Sequence, residues 1–198
     1  MRAPDELDFV KPESVNPAFG CREVYVQPGE SHLVRGPAVL RTVLGSCVGI
    51  TFWNARLELG ALCHPMLPKA PLQRAHGSAQ MRVAAGRRFV DFTVRDLAEQ
   101  LDALGARRGE TVVKLFGGGD VLLVAERGAR PTVGKMNAEA AREALAREGF
   151  AVSASSLGGH AGLHIDFYTT TGEVRLRRLA ATGTPRGHAQ TTGRAGTR

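Results

Sequence analysis

Two short apolar runs stand on either side of a polar break from Asn54 to Glu58. In the first, Val48, Ile50 and Phe52 alternate with Gly49, Thr51 and Trp53, a period of two that fits a strand. The second begins at Leu59 and ends in His64-Pro65-Met66-Leu67-Pro68. Two such runs around a short break predict a β-hairpin. The hairpin constrains the rest of the chain, because it folds the end of its second strand back against the start of its first. Cys47 sits at the mouth of the first strand, behind the small-residue turn Leu44-Gly45-Ser46, and His64 lies near the end of the second. A thiol is thereby carried beside an imidazole, the minimum for nucleophilic catalysis by cysteine.

The chemistry needs that pairing. The thiolate is the nucleophile, and a free cysteine with a pKa of about 8.5 is mostly protonated at neutral pH. A neighbouring imidazole takes the proton and stabilises the anion as imidazolium, so the sulfur is expected to be anionic well below that pH. Gly45 and Ser46 keep the approach to sulfur open, and their backbone N–H groups are candidate donors to an oxyanion. Ser46 itself reads as a turn residue. Cys63 adjoins His64, and successive strand residues point to opposite faces, so Cys63 reads as a packed core thiol. A zinc site from Cys47, Cys63 and His64 lacks the CxxC pairs that mark such centres.

Elsewhere the pattern alternates between strands and helices. Glu23 to Gln27 reads as a strand turned by Pro28-Gly29, and Pro37 to Leu44 as a second strand entering the cysteine turn. Lys69 to Gly86 has no apolar rhythm and reads as a long loop that walls the cleft; His76 within it reads as solvent-exposed. Val90, Val94, Leu97, Leu101 and Leu104 form the stripe of an amphipathic helix stopped by Gly105. Thr111 to Phe116 reads as a strand broken by Gly117-Gly118-Gly119-Asp120. No Lys-Ser/Thr or GxGxxG pattern follows those glycines, so they mark turn geometry, not a phosphate cradle. Gly134 to Glu148 reads as an Ala-rich helix with Gly149 just past its end. Phe150 to Leu157, Leu163 to Thr170 and Glu173 to Leu179 read as strands, the last two joined by Thr171-Gly172. The fold class is α+β, with mixed or antiparallel sheets and two main helices packed on them.

At 198 residues and 43% hydrophobic, the chain has enough material for one domain with a core of its own. Residues 1–20 read as a disordered lead-in, 21–180 as the folded domain and 181–198 as a disordered basic tail. The net charge of +7 comes mostly from scattered arginines without interleaved aromatics, so it reads as a solvated surface, and no nucleic-acid partner is expected. No run approaches the roughly 20 apolar residues of a membrane helix, and no membrane insertion is expected. Three cysteines, Cys21, Cys47 and Cys63, show no disulfide framework spacing. The expected location is the cytoplasm, with reduced thiols.

The segment Leu44-Gly45-Ser46-Cys47-Val48, followed 17 positions after the cysteine by His64-Pro65-Met66-Leu67-Pro68, resembles the CheD family of chemoreceptor glutamine deamidases. Lys114-Leu115-Phe116-Gly117-Gly118, Val133-Gly134-Lys135-Met136-Asn137 and Leu157-Gly158-Gly159 are similar to three further blocks of that family, in the same order, over roughly residues 22 to 180. The resemblance implies the fold of the cytotoxic necrotizing toxin deamidases. It also implies a Cys–His mechanism on receptor glutamine through a thioester, with ammonia released and no cofactor or metal. Its implied catalytic residues are Cys47 as nucleophile and His64 as base. The family's third residue is a threonine, commonly six positions before the cysteine. Position 41 is Arg here, and Thr42, five before, is the candidate orienting group. The family's GG block is often followed by Gly-Arg, where this chain has Gly162-Leu163. Asn137 reads as a helix-entry or turn contact, with a role in the cleft left open.

The implied partners are the cytoplasmic helices of methyl-accepting chemotaxis receptors and, in a second reading, a CheC-type phosphatase. In that second reading the chain is a non-catalytic binding module, motivated by the absent Thr at 41 and Arg at 163.

Overall fold

The structure, a computed structural model, describes residues 14–16, 21–71, 78–121 and 131–179. Its strands are β1 (Ser14–Asn16), β2 (Cys21–Tyr25), β3 (Ser31–Arg35), β4 (Ala38–Leu44), β5 (Val48–Asn54), β6 (Leu59–Cys63), β7 (Val112–Gly117), β8 (Val152–Leu157), β9 (Leu163–Tyr168) and β10 (Glu173–Arg178). Helices α1 (Ala79–Gly86), α2 (Val90–Ala103) and α3 (Val133–Arg147) complete the set. The strands form two five-stranded sheets, ordered β1-β2-β4-β9-β10 and β3-β6-β5-β7-β8. Each sheet is mixed: β2 runs parallel to β4 and β7 parallel to β8, and the other pairs are antiparallel. The expected α+β class with mixed sheets is what forms.

The layers are sheet on sheet, with helices on the far side of the second sheet. Val24, Val34, Leu40, Leu62 and Phe167 fill the space between the sheets. The other face of the second sheet, with Val48, Ile50, Phe52, Leu59, Ala61 and Cys63, packs against Val94, Leu97 and Leu101 of α2 and Ala140, Ala144 and Leu145 of α3. The middle layer is thus covered on both sides, which explains why every residue of β6 is buried.

The predicted hairpin forms between β5 and β6, with Asn54 opposite Leu59 and Ile50 opposite Cys63. The α2 stripe is buried from Val90 to Leu101 as its period demands. Helix α3 begins at an N-cap, Thr132, whose hydroxyl accepts from the Lys135 amide. It ends before Gly149, which takes the left-handed φ of 76° that glycine tolerates at that position.

Three features depart from the sequence reading. Ala79–Gly86, within the expected loop, is helical, started by Ser78, whose hydroxyl accepts from the Met81 amide. No residue of α1 is buried, so it carries no apolar stripe to read. His76 lies outside the described residues. Ser31–Arg35 forms a strand that the sequence hid between turn residues, and it borders β6. Ser14–Asn16, in the expected lead-in, pairs with β2. The remainder of the lead-in and the tail from 180 onward lie outside the described residues. No described helix is long and apolar enough to cross a membrane.

Candidate active site

The turn Gly45-Ser46-Cys47 carries the chain from β4 in one sheet to β5 in the other. The site therefore forms where the two sheets meet at one end. Leu40, Thr42 and Leu44 of β4 are buried and face the second sheet, while Arg41 on the opposite face is ion-paired with Glu23 and Asp166. The alternation of a strand puts Thr42, and not position 41, toward the interior.

His64 follows β6 directly. Its backbone is held at both ends: its N–H donates to the Glu30 carbonyl at 2.9 Å, and its carbonyl accepts from the Gly29 N–H at 2.8 Å. Its ring turns into the space between the sheets, where Nδ1 lies 2.7 Å from Thr42 Oγ1. The Thr42 hydroxyl donates its one proton to the Val26 carbonyl at 2.8 Å. A carbonyl only accepts, so the hydroxyl is left as acceptor toward the ring. Nδ1 then carries the imidazole proton, and Nε2 presents a free lone pair.

Cys47 lies on the same face of the hairpin as His64. Continuing the Ile50–Cys63 register, marked by the bond from the Val48 N–H to the Pro65 carbonyl, sets Gly49 opposite His64. Cys47 is the next residue on that face, a diagonal neighbour of His64. Gly49 has no side chain to stand between ring and sulfur. The thiol is half-buried against Leu44, Phe116, Leu163 and Ile165.

Burial governs the ionisation here. It pushes the His64 imidazole down to about 4, with the Val26 carbonyl and the Glu30 charge opposing it only in part. It also raises the Cys47 thiol, against its own backbone amide. Both shifts favour the uncharged forms, a thiol and a neutral imidazole, where the sequence led us to expect a thiolate–imidazolium pair. A low-dielectric site disfavours both charges. Cys63 is fully buried, donates to the Ile50 carbonyl at 3.6 Å and is pushed up to about 12 by burial. Its side chain lies in the helix-side core, on the opposite face of the sheet from the His64 ring. Among the described residues no group of three or more His, Cys, Asp and Glu side chains is arranged to hold a metal ion.

Three glycine-bearing turns surround the cysteine. The Gly118 N–H donates to the Cys47 carbonyl, the Gly119 N–H to the Gly45 carbonyl and the Gly158 N–H to the Gly117 carbonyl, each at 2.8 Å. The glycine run after β7 is thus a wall of the cysteine turn, in keeping with turn geometry. Two further contributors are the Val26 carbonyl, which had no signature in the sequence, and Asn137, whose role in the cleft the sequence left open. The Val26 carbonyl is backbone, which any residue would supply. Asn137, fully buried on α3, donates from Nδ2 to the Ser46 carbonyl at 3.0 Å and to the Met66 carbonyl at 2.8 Å.

The fold and site define an α+β protein with a cysteine, a histidine and a threonine gathered where two sheets meet. The chain belongs to the CheD family, whose model, described as CheD chemotactic sensory transduction, matches residues 66–178. It is 39% identical over 159 residues to a protein of Geobacter sulfurreducens named probable chemoreceptor glutamine deamidase CheD 2, covering 80% of this chain and 91% of that one. A protein of Maridesulfovibrio salexigens with the name probable chemoreceptor glutamine deamidase CheD is 33% identical, covering 80% of this chain and 92% of its own. An archaeal relative from Archaeoglobus fulgidus, of the same name, is 33% identical over 156 residues.

Proposed function

We propose that the chain hydrolyses the side-chain amide of glutamine on chemotaxis receptors, leaving glutamate. The observation that carries the chemistry is the buried Thr42–His64 hydrogen bond, which leaves Nε2 free on the face that Cys47 shares. The substrate class rests on the relatives, which are named for chemoreceptor glutamine deamidation.

In this reading Cys47 Sγ attacks the carboxamide carbon as its proton passes to His64 Nε2. Thr42 holds Nδ1–H throughout and helps disperse the charge of the transient imidazolium. The negative charge moves to the former carbonyl oxygen, and the tetrahedral intermediate collapses as Nε2–H protonates the departing nitrogen. Ammonia leaves, and a γ-glutamyl thioester remains on Cys47. Water then attacks the thioester carbon and gives its proton to Nε2. The C–S bond breaks, the sulfur recovers its proton, and the product is glutamate. A neutral base beside a neutral thiol suits this order, because the proton moves as the C–S bond forms.

In this reading the targets are the receptors' cytoplasmic helices, and the protein works in the cytoplasm. A CheC-type phosphatase is a second partner in this reading, docked without need of the chemistry.

The test is a receptor cytoplasmic fragment incubated with the protein and examined by mass spectrometry. Deamidation adds about 1 Da at each converted glutamine, the mass difference between NH2 and OH, and Cys47→Ala is expected to abolish the gain. No gain with the intact protein, or an undiminished gain with the variant, overturns the reading. A Cys47→Ala variant that keeps both partner affinity and the chemotaxis phenotype marks a binding module instead.

A further inference from the structure

Asn137 is a buried polar side chain with an unusual reach. Its Nδ2 donates to the carbonyl of Ser46, the residue before Cys47, and to the carbonyl of Met66, two residues beyond His64. One amide on α3 therefore ties together the two segments that carry the thiol and the imidazole, 91 and 71 positions away in the chain. Its Oδ1 is buried without a hydrogen-bond partner among the described residues.

The geometry of the peptide unit gives that contact a chemical consequence. In a planar trans peptide the C=O of one residue and the N–H of the next point in opposite directions. Nδ2 holds the Ser46 carbonyl toward α3, so the Cys47 N–H is turned away from α3. An acyl group on the Cys47 sulfur would lie within reach of an N–H so turned. The following peptide is held as well, because the Cys47 carbonyl accepts from the Gly118 N–H. Acyl transfer to sulfur creates an oxyanion one bond from the attacked carbon, within reach of the nucleophile's own N–H.

We propose that Asn137 is a positioning residue that aims the Cys47 backbone N–H as an oxyanion donor. This rests on the deamidase reading and deepens it. In this role Asn137 acts through the peptide that presents the donor, and through Met66 it fixes the segment leaving His64.

Two reactions of the same sulfur separate this role from general support of the fold. Deamidation passes through an oxyanion, whereas alkylation by iodoacetamide displaces iodide and forms none. We would measure kcat and KM for a receptor fragment, the rate and pH profile of Cys47 alkylation, and Tm, for wild type, Asn137→Ala and Asn137→Ser. Leu145→Ala, in the α3 core, serves as a control of comparable destabilisation. Serine keeps one donor and suits a site where alanine fails to fold, but it is too short to hold both carbonyls. Both Asn137 variants are expected to lose about 100-fold in kcat, the scale of one oxyanion donor. KM should stay within about threefold, and alkylation at its alkaline limit should stay within about threefold of wild type, since displacement of iodide uses no oxyanion donor. Leu145→Ala should keep its kcat. An unchanged kcat in the Asn137 variants overturns the inference alone. So does alkylation that falls in step with kcat, or an equal loss in Leu145→Ala. A wild-type protein that alkylates at Cys47 but deamidates nothing overturns the deamidase reading, and this inference with it.

Discussion

Thr42 Oγ1 and His64 Nδ1, 22 positions apart in sequence, one on β4 of the first sheet and the other just past β6 of the second, lie 2.7 Å apart, and both residues are buried. Because the same hydroxyl is committed to the Val26 carbonyl, the contact selects one imidazole tautomer. Thr42→Val keeps the volume and removes the hydroxyl, leaving the Nδ1–H unpaired. Deamidation is expected to fall roughly 10- to 100-fold through misplacement of the ring. Stability should fall by about 1–3 kcal/mol for the orphaned polar groups. Thr42→Ser retains the hydroxyl and should stay within about threefold of wild type. Steady-state kinetics on a receptor fragment, with a denaturation curve for each variant, tests both parts. Equal activity in the valine and serine variants would remove Thr42 from the site.

The three thiols should separate by burial. Cys63 is expected to resist iodoacetamide in the native protein, with its thiol pushed up to about 12 and its sulfur inside the helix-side core. Cys47 should alkylate, with a rate that climbs through the alkaline range and no plateau near neutrality, because burial raises its thiol as well. Peptide mapping after timed alkylation across pH 6–10, a range of about four units around the free-thiol value, reads this directly. A rate plateau at pH 7 at Cys47 would restore the preformed thiolate and contradict the burial argument.

The hairpin, the α2 stripe and the α3 helix were legible in the sequence because each is a local pattern. Residues a few positions apart decide them. The placement of Cys47 and His64 at one end of a single hairpin was legible for the same reason. The two-sheet arrangement was not, because it depends on β4 pairing with β9, Leu40 opposite Phe167, and on β5 leaving for the other sheet after a three-residue turn. No local period encodes which sheet a strand joins. The face of Thr42 was ambiguous on its own, because Val39 is as buried as Leu40 and the alternation around it is weak. Helix α1 went unread because none of its residues is buried, and β3 because Gly36-Pro37 and Pro28-Gly29 crowd it with turn signals. Asn137 was read as a helix-entry or turn contact with a cleft role left open; its partners are backbone carbonyls, which leave no mark in a sequence.

The glycine wall makes a steric prediction. Gly117 has a φ of 90°, and a Cβ added there would press on the Cys47 carbonyl oxygen and on Leu44. Gly117→Ala is therefore strained twice, once by its backbone and once by a backbone atom that has nowhere to go. A loss of about 3 kcal/mol is expected, seen as a Tm lower by roughly 6–12 °C. Activity should fall further than stability alone accounts for, because the displaced atom belongs to the nucleophile. Gly105, also at positive φ but with open space around it, is the control: Gly105→Ala should cost only the backbone term and leave deamidation intact.

The pH dependence follows from His64. Its imidazole, pushed down to about 4 in the folded protein, titrates near 6.5 once the chain unfolds. Above pH 6.5 neither state holds the proton, and the group contributes nothing to the slope. Between 6.5 and 4 the unfolded chain binds a proton that the folded one refuses, so stability falls as pH falls, by roughly 3 kcal/mol across the window. Below 4 both states are protonated and the contribution levels off. His64→Gln removes the group, and its stability should be flatter than wild type between pH 6.5 and 4. Chemical denaturation at half-unit steps, with Cm converted to free energy, measures the difference between the two curves. Catalysis reports the same pKa from the other side. A neutral base is required, so kcat/KM should hold as pH drops below 6 and fall only toward 4, provided the fold survives there. If kcat/KM instead breaks near 6.5, the imidazole is hydrated in the folded protein. The tautomer fixed by Thr42 would then not be what keeps His64 ready to accept the thiol proton.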